Sequence, residues 1–79
     1  MWSQGTIWAD NGKAGYDYWV KHYDEDSEFG IAKGRISKLE IRRHGENETL
    51  VSYDRGWDIE VPDDQQIAEV YAVLLAKYN

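Results

Sequence analysis

Hydrophobic and polar residues alternate along most of the chain, and a helical spacing occurs only near its C-terminal end. The clearest alternation lies in residues 34–61, where the segments Ile36–Arg43 and Thr49–Asp54 flank the polar residues 44–48. A period of two is typical of a strand with one buried face. The pattern therefore predicts a β-hairpin. Its buried face would carry Leu39, Ile41, Val51 and Tyr53.

Two further strands are predicted in the first half of the chain. Residues 5–9 contain β-branched and aromatic side chains, and residues 16–23 alternate in the sequence YDYWVKHY. Between them lies Asp10-Asn11-Gly12, in which Asn and Gly tolerate the positive φ of a tight hairpin turn. Aromatic side chains fall on both faces of the second strand. This strand is therefore either covered on both sides or presents one aromatic row as a contact surface.

One helix is predicted after Pro62. Asp63 and Gln66 have the spacing of a capping box, which predicts that the helix begins at Asp63. Its apolar stripe consists of Ile67, Val70, Tyr71, Leu74 and Tyr78. One stripe requires one sheet to pack on. We therefore predict a single α+β domain over residues 1–79, an antiparallel sheet of about four strands with a C-terminal helix across one face (β-β-β-β-α). Residues 57–61 fit either a short further strand or an extended connector.

Composition restricts the class of protein. The chain has 79 residues, no cysteine, four tryptophans and six tyrosines, which is too much large apolar surface for a disordered chain. Without cysteine, neither a disulfide nor a thiolate metal site can form. The residues after Met1 do not resemble a signal peptide, and no apolar run is long enough to span a membrane. We expect a protein without membrane attachment that is located in the cytoplasm.

The charge balance bears on the kind of partner. Nine Lys and Arg residues against fifteen Asp and Glu residues give a formal net charge of −6. Direct binding to duplex nucleic acid is disfavoured, because neutralisation of phosphates by basic residues supplies most of its affinity. An acidic surface fits a protein partner with a basic surface, or it serves solubility alone.

No pattern in the sequence indicates catalysis, a cofactor or a metal ion. Asp24, Asp26 and Glu28 have the spacing of the first calcium ligands of an EF-hand loop, but the required Gly and bidentate Glu are missing from the sixth and twelfth positions. His22 and His44 belong to no nucleophile motif, and no serine lies in a G-x-S-x-G context. We predict that the protein is not an enzyme and uses no cofactor.

The number of aromatic side chains exceeds what one helix can cover. We expect some in the core and others on an interface, where Trp and Tyr are typical anchors. The predicted partner-binding residues are Tyr16, Tyr18, Trp19, Tyr23, Asp24, Asp26 and Glu28. One alternative is a module that binds a small ligand or a single strand, with Trp8, Trp19 and Trp57 as stacking platforms. Another is a homodimer that buries the aromatic face.

The segment GRISKLEIRR, followed by a polar turn and then YDRGWD, resembles a small family of uncharacterised accessory proteins of phages and prophages of Gram-positive bacteria. The resemblance covers residues 16–78 and is most specific at residues 35–39 and 53–58. It implies no activity and no functional residues. It does imply a context, the cytoplasm of a bacterial host. There we expect a non-enzymatic accessory protein that binds a protein partner and inhibits a host nucleic-acid-binding defence factor.

Overall fold

A computed structural model describes residues 1–79 and has an antiparallel five-stranded sheet with one α-helix across one face. The strands follow one another in the sheet in chain order. They are β1 (Trp2–Ala9), β2 (Ala14–His22), β3 (Ile36–Arg43), β4 (Thr49–Asp54) and β5 (Trp57–Ile59). A 3-10 turn, Ile31–Lys33, precedes β3, and helix α1, Gln65–Tyr78, follows β5. The predicted α+β class is confirmed, with a fifth strand where about four were expected.

The hairpin of β3 and β4 has the bounds that the alternation predicted. Leu39 pairs with Tyr53 and Ile41 pairs with Val51. All four side chains are buried. The alternation of these four apolar residues with polar ones therefore sufficed to place this hairpin and its inner face.

The hairpin of β1 and β2 differs from the prediction in its length and turn. β1 begins at Trp2, earlier than residue 5, and its last pair is Ala9 with Ala14. Four residues thus form the connection, and its first three, Asp10, Asn11 and Gly12, have φ values of 51°, 55° and 83°. These are left-handed conformations that Asp, Asn and Gly tolerate at low cost.

The core lies between α1 and one side of the sheet. Ile67, Val70 and Leu74 of α1 are buried, which confirms the predicted stripe. The strands contribute Tyr16, Tyr18, Val20, Ile36, Leu39, Ile41, Val51 and Tyr53 to the same cluster. Complete burial of a Val, Leu or Ile side chain stabilises a fold by about 1.5–3 kcal/mol. Packing of this one stripe on the sheet is therefore the main attachment of the helix.

The N-terminus of α1 is capped by Asp64, and the predicted cap at Asp63 is wrong by one residue. The Ile67 N–H donates to the Asp64 carboxylate over 3.1 Å. Gln66 takes no part in a capping box, because its side-chain oxygen accepts a 2.9 Å hydrogen bond from the Tyr16 hydroxyl. Gln66 thus contacts the sheet, and the cap lies one residue later than the pattern predicted.

The other end of α1 is fixed to the segment before β3. The Asn79 side chain donates to the Ile31 carbonyl over 3.1 Å and accepts from the Ile36 N–H over 2.9 Å. Gly34 permits this approach, since a Cβ at that position would collide with the Asn79 amide. Both ends of the helix are therefore held by polar contacts in addition to the apolar stripe.

We expect Asp64→Ala to lower the free energy of unfolding by about 1 kcal/mol, because the Ile67 N–H loses its side-chain acceptor. Asp63→Ala removes the same charge from the neighbouring position without removing a cap, so its effect should stay within about 0.5 kcal/mol. Urea denaturation of both variants, followed by circular dichroism, measures the difference. Equal losses would mean that Asp64 acts only through its charge.

Candidate functional site

α1 covers one side of the sheet, and no element covers the opposite side. Side chains alternate along each strand, so the strand register assigns them to the two sides. The uncovered side, termed the open face below, carries Trp2, Gln4, Thr6, Trp8, Asp17, Trp19, Lys21, Lys38, Glu40, Arg42, Ser52 and Asp54. The bare side of an antiparallel sheet is ordinarily polar. Folding of the chain does not by itself explain why three tryptophans lie on this uncovered side of the sheet.

A groove of about 540 Å³ crosses the open face. Trp2 and Trp19 line it on the side of β1 and β2, and Asp54 and Asp58 line it on the side of β4 and β5. Its volume lies within the roughly 300–1,000 Å³ that is typical of small-ligand sites. It runs openly along the sheet, however, and most of a small ligand would stay exposed there. A groove of this form fits a segment of another protein better than a buried small molecule.

Basic side chains contact two of the three tryptophans of the open face. Trp2 and Trp8 are 57% and 54% exposed, and Trp19 is half-buried. The Arg42 guanidinium lies 5.1 Å from the centre of the Trp19 ring. The Lys21 ammonium lies 5.8 Å from the centre of the Trp2 ring. Cation–π contacts at this distance restrict the rings while leaving much of their surface open to a partner.

Two of the three basic groups of the open face form ion pairs within the chain. Arg42 lies 2.6 Å from Glu40, and Lys38 lies 3.6 Å from Asp54. Asp58, at the rim of the groove, has no Lys, Arg or His group within 4.0 Å. The same is true of all the acidic residues in the loop of residues 24–28. Lys21 is also without a carboxylate within 4.0 Å, so the unpaired groups are one cation against Asp58 and the acidic residues of the loop, which leaves a negative excess.

The structure separates the predicted partner-binding residues into two groups. Tyr16 and Tyr18 lie in the core, with exposures of 1% and 6%. The hydroxyl of Tyr18 is hydrogen-bonded to the hydroxyl of Tyr78 over 3.1 Å. A partner cannot reach these two rings in the folded chain, so the expectation is corrected for both. The two aromatic rows of β2 have different roles, and α1 covers the row that contains these tyrosines.

The remaining predicted residues lie at the surface. Trp19 belongs to the open face, and Tyr23 follows β2 with 47% exposure. The Lys21 ammonium lies 5.7 Å from the centre of the Tyr23 ring, which makes Tyr23 continuous with the open face. Asp24, Asp26 and Glu28 are exposed in the loop that follows. These five residues are therefore accessible to a partner.

The stacking platform proposed from Trp8, Trp19 and Trp57 does not form as one surface. Trp57 lies on the side of the helix, with its ring centre 4.9 Å from that of Tyr53 and 5.8 Å from that of Tyr71. Trp2 takes its place on the open face, and sequence reasoning missed it because β1 was expected to begin at residue 5. Its position in phase with Trp8 on a strand was the available signal.

A polar cluster of three side chains lies at one end of the open face. Thr6 Oγ1 donates to Asp17 Oδ1 over 2.6 Å, and His44 Nδ1 lies 2.8 Å from the same oxygen. These hydrogen bonds from Thr6 and His44 hold the pKa of Asp17 below its usual value. The hydroxyl is directed to the carboxylate and has no base to activate it. The arrangement braces β1 against β2 and lacks the order of a nucleophilic triad.

His22 lies at the opposite end of β2, between the sheet and the helix. Its Nε2 is 2.9 Å from the Ser3 hydroxyl, and its ring centre is 4.7 Å from that of Tyr78. Burial is the main reason that the pKa of His22 is lowered, with a further contribution from the positive amino group of Met1. Asp24 opposes this shift, and Arg35 adds to it. Because the ring is packed and hydrogen-bonded, its role in the structure is to join the helix to β1.

No three His, Asp or Glu side chains come together in a way that could hold a metal ion. α1 does not have the length and apolar character needed to cross a membrane.

A family model described as a domain of unknown function, DUF7678, matches residues 1–79. The chain belongs to the DUF7678 family. Comparisons with curated proteins and with solved structures gave no significant match. No activity can be transferred from the DUF7678 description, so a functional proposal has to rest on the open face itself.

The lowered pKa of His22 gives a pH dependence of stability. A histidine whose folded pKa lies below 6.5 binds fewer protons in the folded than in the unfolded chain. Its contribution is therefore present above pH 6.5 and is lost as the pH falls through the folded pKa. We expect His22→Gln to reduce the decline in unfolding free energy between about pH 7 and pH 5. Urea denaturation of the wild type and the variant at several pH values measures the free energy of unfolding. An unchanged decline in the variant would contradict the assignment of this pH dependence to His22.

Proposed function

We propose that this DUF7678 domain is a non-enzymatic protein that binds a partner protein through its open face. The observation that carries the proposal is the position of Trp2, Trp8 and Trp19 on a side of the sheet that nothing covers. The core does not need them, because α1 packs on the other side. Trp is also the residue type most enriched among binding hot spots.

The exposed tryptophans supply part of the binding energy that a specific complex needs. An aromatic side chain can bury about 150–250 Å². At about 25 cal/mol per Å², two such rings supply several kcal/mol before the costs of association are subtracted. The cation–π contacts of Trp2 and Trp19 restrict their rotamers in advance, which lowers the entropy lost on binding.

The chemistry of the partner follows from the uncompensated charges. Asp58 at the rim of the groove and the acidic loop of residues 24–28 lack basic partners within the chain, and the net charge is −6. A partner surface with Lys or Arg around an apolar centre would complement this arrangement. Such surfaces are typical of proteins that bind nucleic acid. This supports inhibition of a host nucleic-acid-binding defence factor by a phage-type accessory protein.

Single-strand binding is the second candidate, because aromatic rings on a sheet are typical stacking platforms. Arg42, Lys38 and Lys21 lie among the tryptophans and favour it. Two of these three cations are paired with carboxylates, however, and the net charge of the chain repels phosphate. A protein partner therefore fits the open face better than a nucleic acid.

We expect the immobilised protein to retain a specific protein from a Gram-positive bacterial lysate. The double substitution Trp2→Ala/Trp19→Ala should reduce that retention at least about tenfold, because two hot-spot rings are lost. Val73→Ala is the matched control, because Val73 is an exposed apolar residue of α1, 47% exposed, away from the open face. Asp24→Lys/Asp26→Lys should also reduce retention, more at low than at high salt. Quantitative mass spectrometry of the retained proteins measures all four.

The retained protein then has to meet a second condition. Duplex DNA or RNA added to the lysate should compete with its capture, since the proposal assigns the contact to a nucleic-acid-binding surface. Retention that is equal for the wild type and for the Trp2/Trp19 variant would contradict the role of the open face. Quenching of tryptophan fluorescence by a single-stranded oligonucleotide at moderate salt would favour the second candidate.

A further inference from the structure

β1 is an edge strand that lacks the features by which proteins protect such edges. It has eight residues, contains no charged residue and no proline, and pairs with β2 without a register shift. The strand pairs β2–β3, β3–β4 and β4–β5 each contain a shift. The opposite edge, β5, has only three residues, includes Asp58 and is soon followed by Pro62. The edge of β1 is therefore the one at which the sheet can accept another strand.

The backbone groups at this edge form a regular row. Met1 and His22 exchange N–H···O bonds of 2.9 and 3.0 Å. In an antiparallel pair such bonded positions alternate, so the odd-numbered residues of β1 bond to β2. The N–H and C=O groups of the even-numbered residues point to the free edge. These residues are Trp2, Gln4, Thr6 and Trp8.

We propose that β1 pairs antiparallel with β1 of a second copy of the chain, which joins the two sheets into one continuous sheet. Only residues whose backbone groups point outward can form the new bonds, so even-numbered residues face even-numbered residues. With Gly5 on the two-fold axis, Trp2 lies opposite Trp8 of the second copy, and Gln4 lies opposite Thr6. This register uses all four outward-facing residues of each strand.

The sequence of β1 is symmetric about Gly5 in a way that fits a copy of itself. Trp2 and Trp8 lie three residues before and three residues after it. Both are more than half exposed, and both belong to the open face. The two-fold axis therefore creates two Trp–Trp cross-strand pairs, a type of aromatic pair that stabilises adjacent strands. A foreign strand would match this spacing only by chance, which is why a second copy is the expected occupant.

The same strand has nothing that would repel its copy. No charged side chain lies between Trp2 and Ala9, whereas the chain as a whole carries a net charge of −6. Identical acidic proteins repel one another, and β1 adds no charged side chain to that repulsion. Pairing through the edge leaves Trp19 and the groove accessible on both copies. Trp2 and Trp8 are shared with the surface of the proposed function, so the test of the dimer leaves both tryptophans unchanged and substitutes Gln4 and Thr6 instead.

Charge substitutions test both the dimer and its register. In Gln4→Lys/Thr6→Lys, each lysine faces a lysine of the second copy, so the dimer dissociation constant should rise about tenfold or more. In Gln4→Lys/Thr6→Glu, each lysine faces a glutamate, and dimerisation should be close to that of the wild type. Sedimentation equilibrium from micromolar to millimolar concentration measures all three proteins. Circular dichroism melting establishes that both variants are folded.

Three results would overturn the proposal. A wild-type protein that stays monomeric over the whole range shows that the edge does not pair. Equal dimerisation of the Lys/Lys variant and the wild type places the interface elsewhere. Both variants lose the hydrogen bond from Thr6 to Asp17, so Thr6→Ala is the control for β1 itself. Loss of the dimer in both variants while Thr6→Ala still dimerises shows that Gln4 and Thr6 do not face each other.

Disulfide trapping gives a second measurement of the register. The chain has no cysteine of its own. Residues opposite each other in a hydrogen-bonded antiparallel pair have Cα atoms about 5.5 Å apart, which is within reach of a disulfide. When Gln4→Cys and Thr6→Cys chains are mixed and oxidised, the mixed disulfide should exceed the amount expected from random pairing. A random distribution of mixed and like disulfides would contradict the register.

Discussion

A single helix can cover only one side of a five-stranded sheet, and this limit determines both the core and the surface of the protein. α1 has 14 residues and is about 21 Å long, with one buried stripe. The sheet contributes tyrosines to the space beneath it, and the hydroxyl of Tyr16 reaches Gln66 of the helix. Whatever apolar side chains lie on the other side must meet solvent or a partner. The exposure of the three tryptophans of the open face follows from this arrangement.

The sequence predicted the fold wherever one signal was unambiguous. β3 and β4 were placed with their bounds, because Leu39 and Ile41 in β3, and Val51 and Tyr53 in β4, alternate with polar residues. β2 has aromatic residues on both sides, so its alternation could not say which row the helix would cover. Tyr16 and Tyr18 were therefore assigned to a surface although they are buried. The capping-box spacing of Asp63 and Gln66 pointed to the wrong aspartate, because Gln66 bonds to Tyr16, which is distant in sequence, and Asp64 accepts from the Ile67 N–H.

The candidate site was predictable in part, and the missing part has a physical cause. Trp19, Tyr23 and the acidic loop were found because they lie in one continuous stretch. Trp2 was missed because Ser3, Gln4 and Gly5 separate it from the β-branched and aromatic residues that marked the strand, and pairing with β2 is what extends β1 to that position. The ion pairs that neutralise Arg42 and Lys38 depend on the register of three strands. No local pattern in the sequence contains that register.

The free edge and the open face meet in β1, and this links the two proposed interactions. Trp2 and Trp8 belong to both, whereas Trp19 and Arg42 lie on strands inside the sheet and belong to the open face alone. A dimer formed through β1 would use part of the surface of the outer tryptophans and would place two grooves side by side on one sheet. A partner with repeated or two-fold symmetric basic surface could then engage both grooves, and the second contact would be intramolecular. Even if each groove alone binds weakly, the complex would in that case be tight, because linking two binding sites raises the overall affinity without any additional kind of contact.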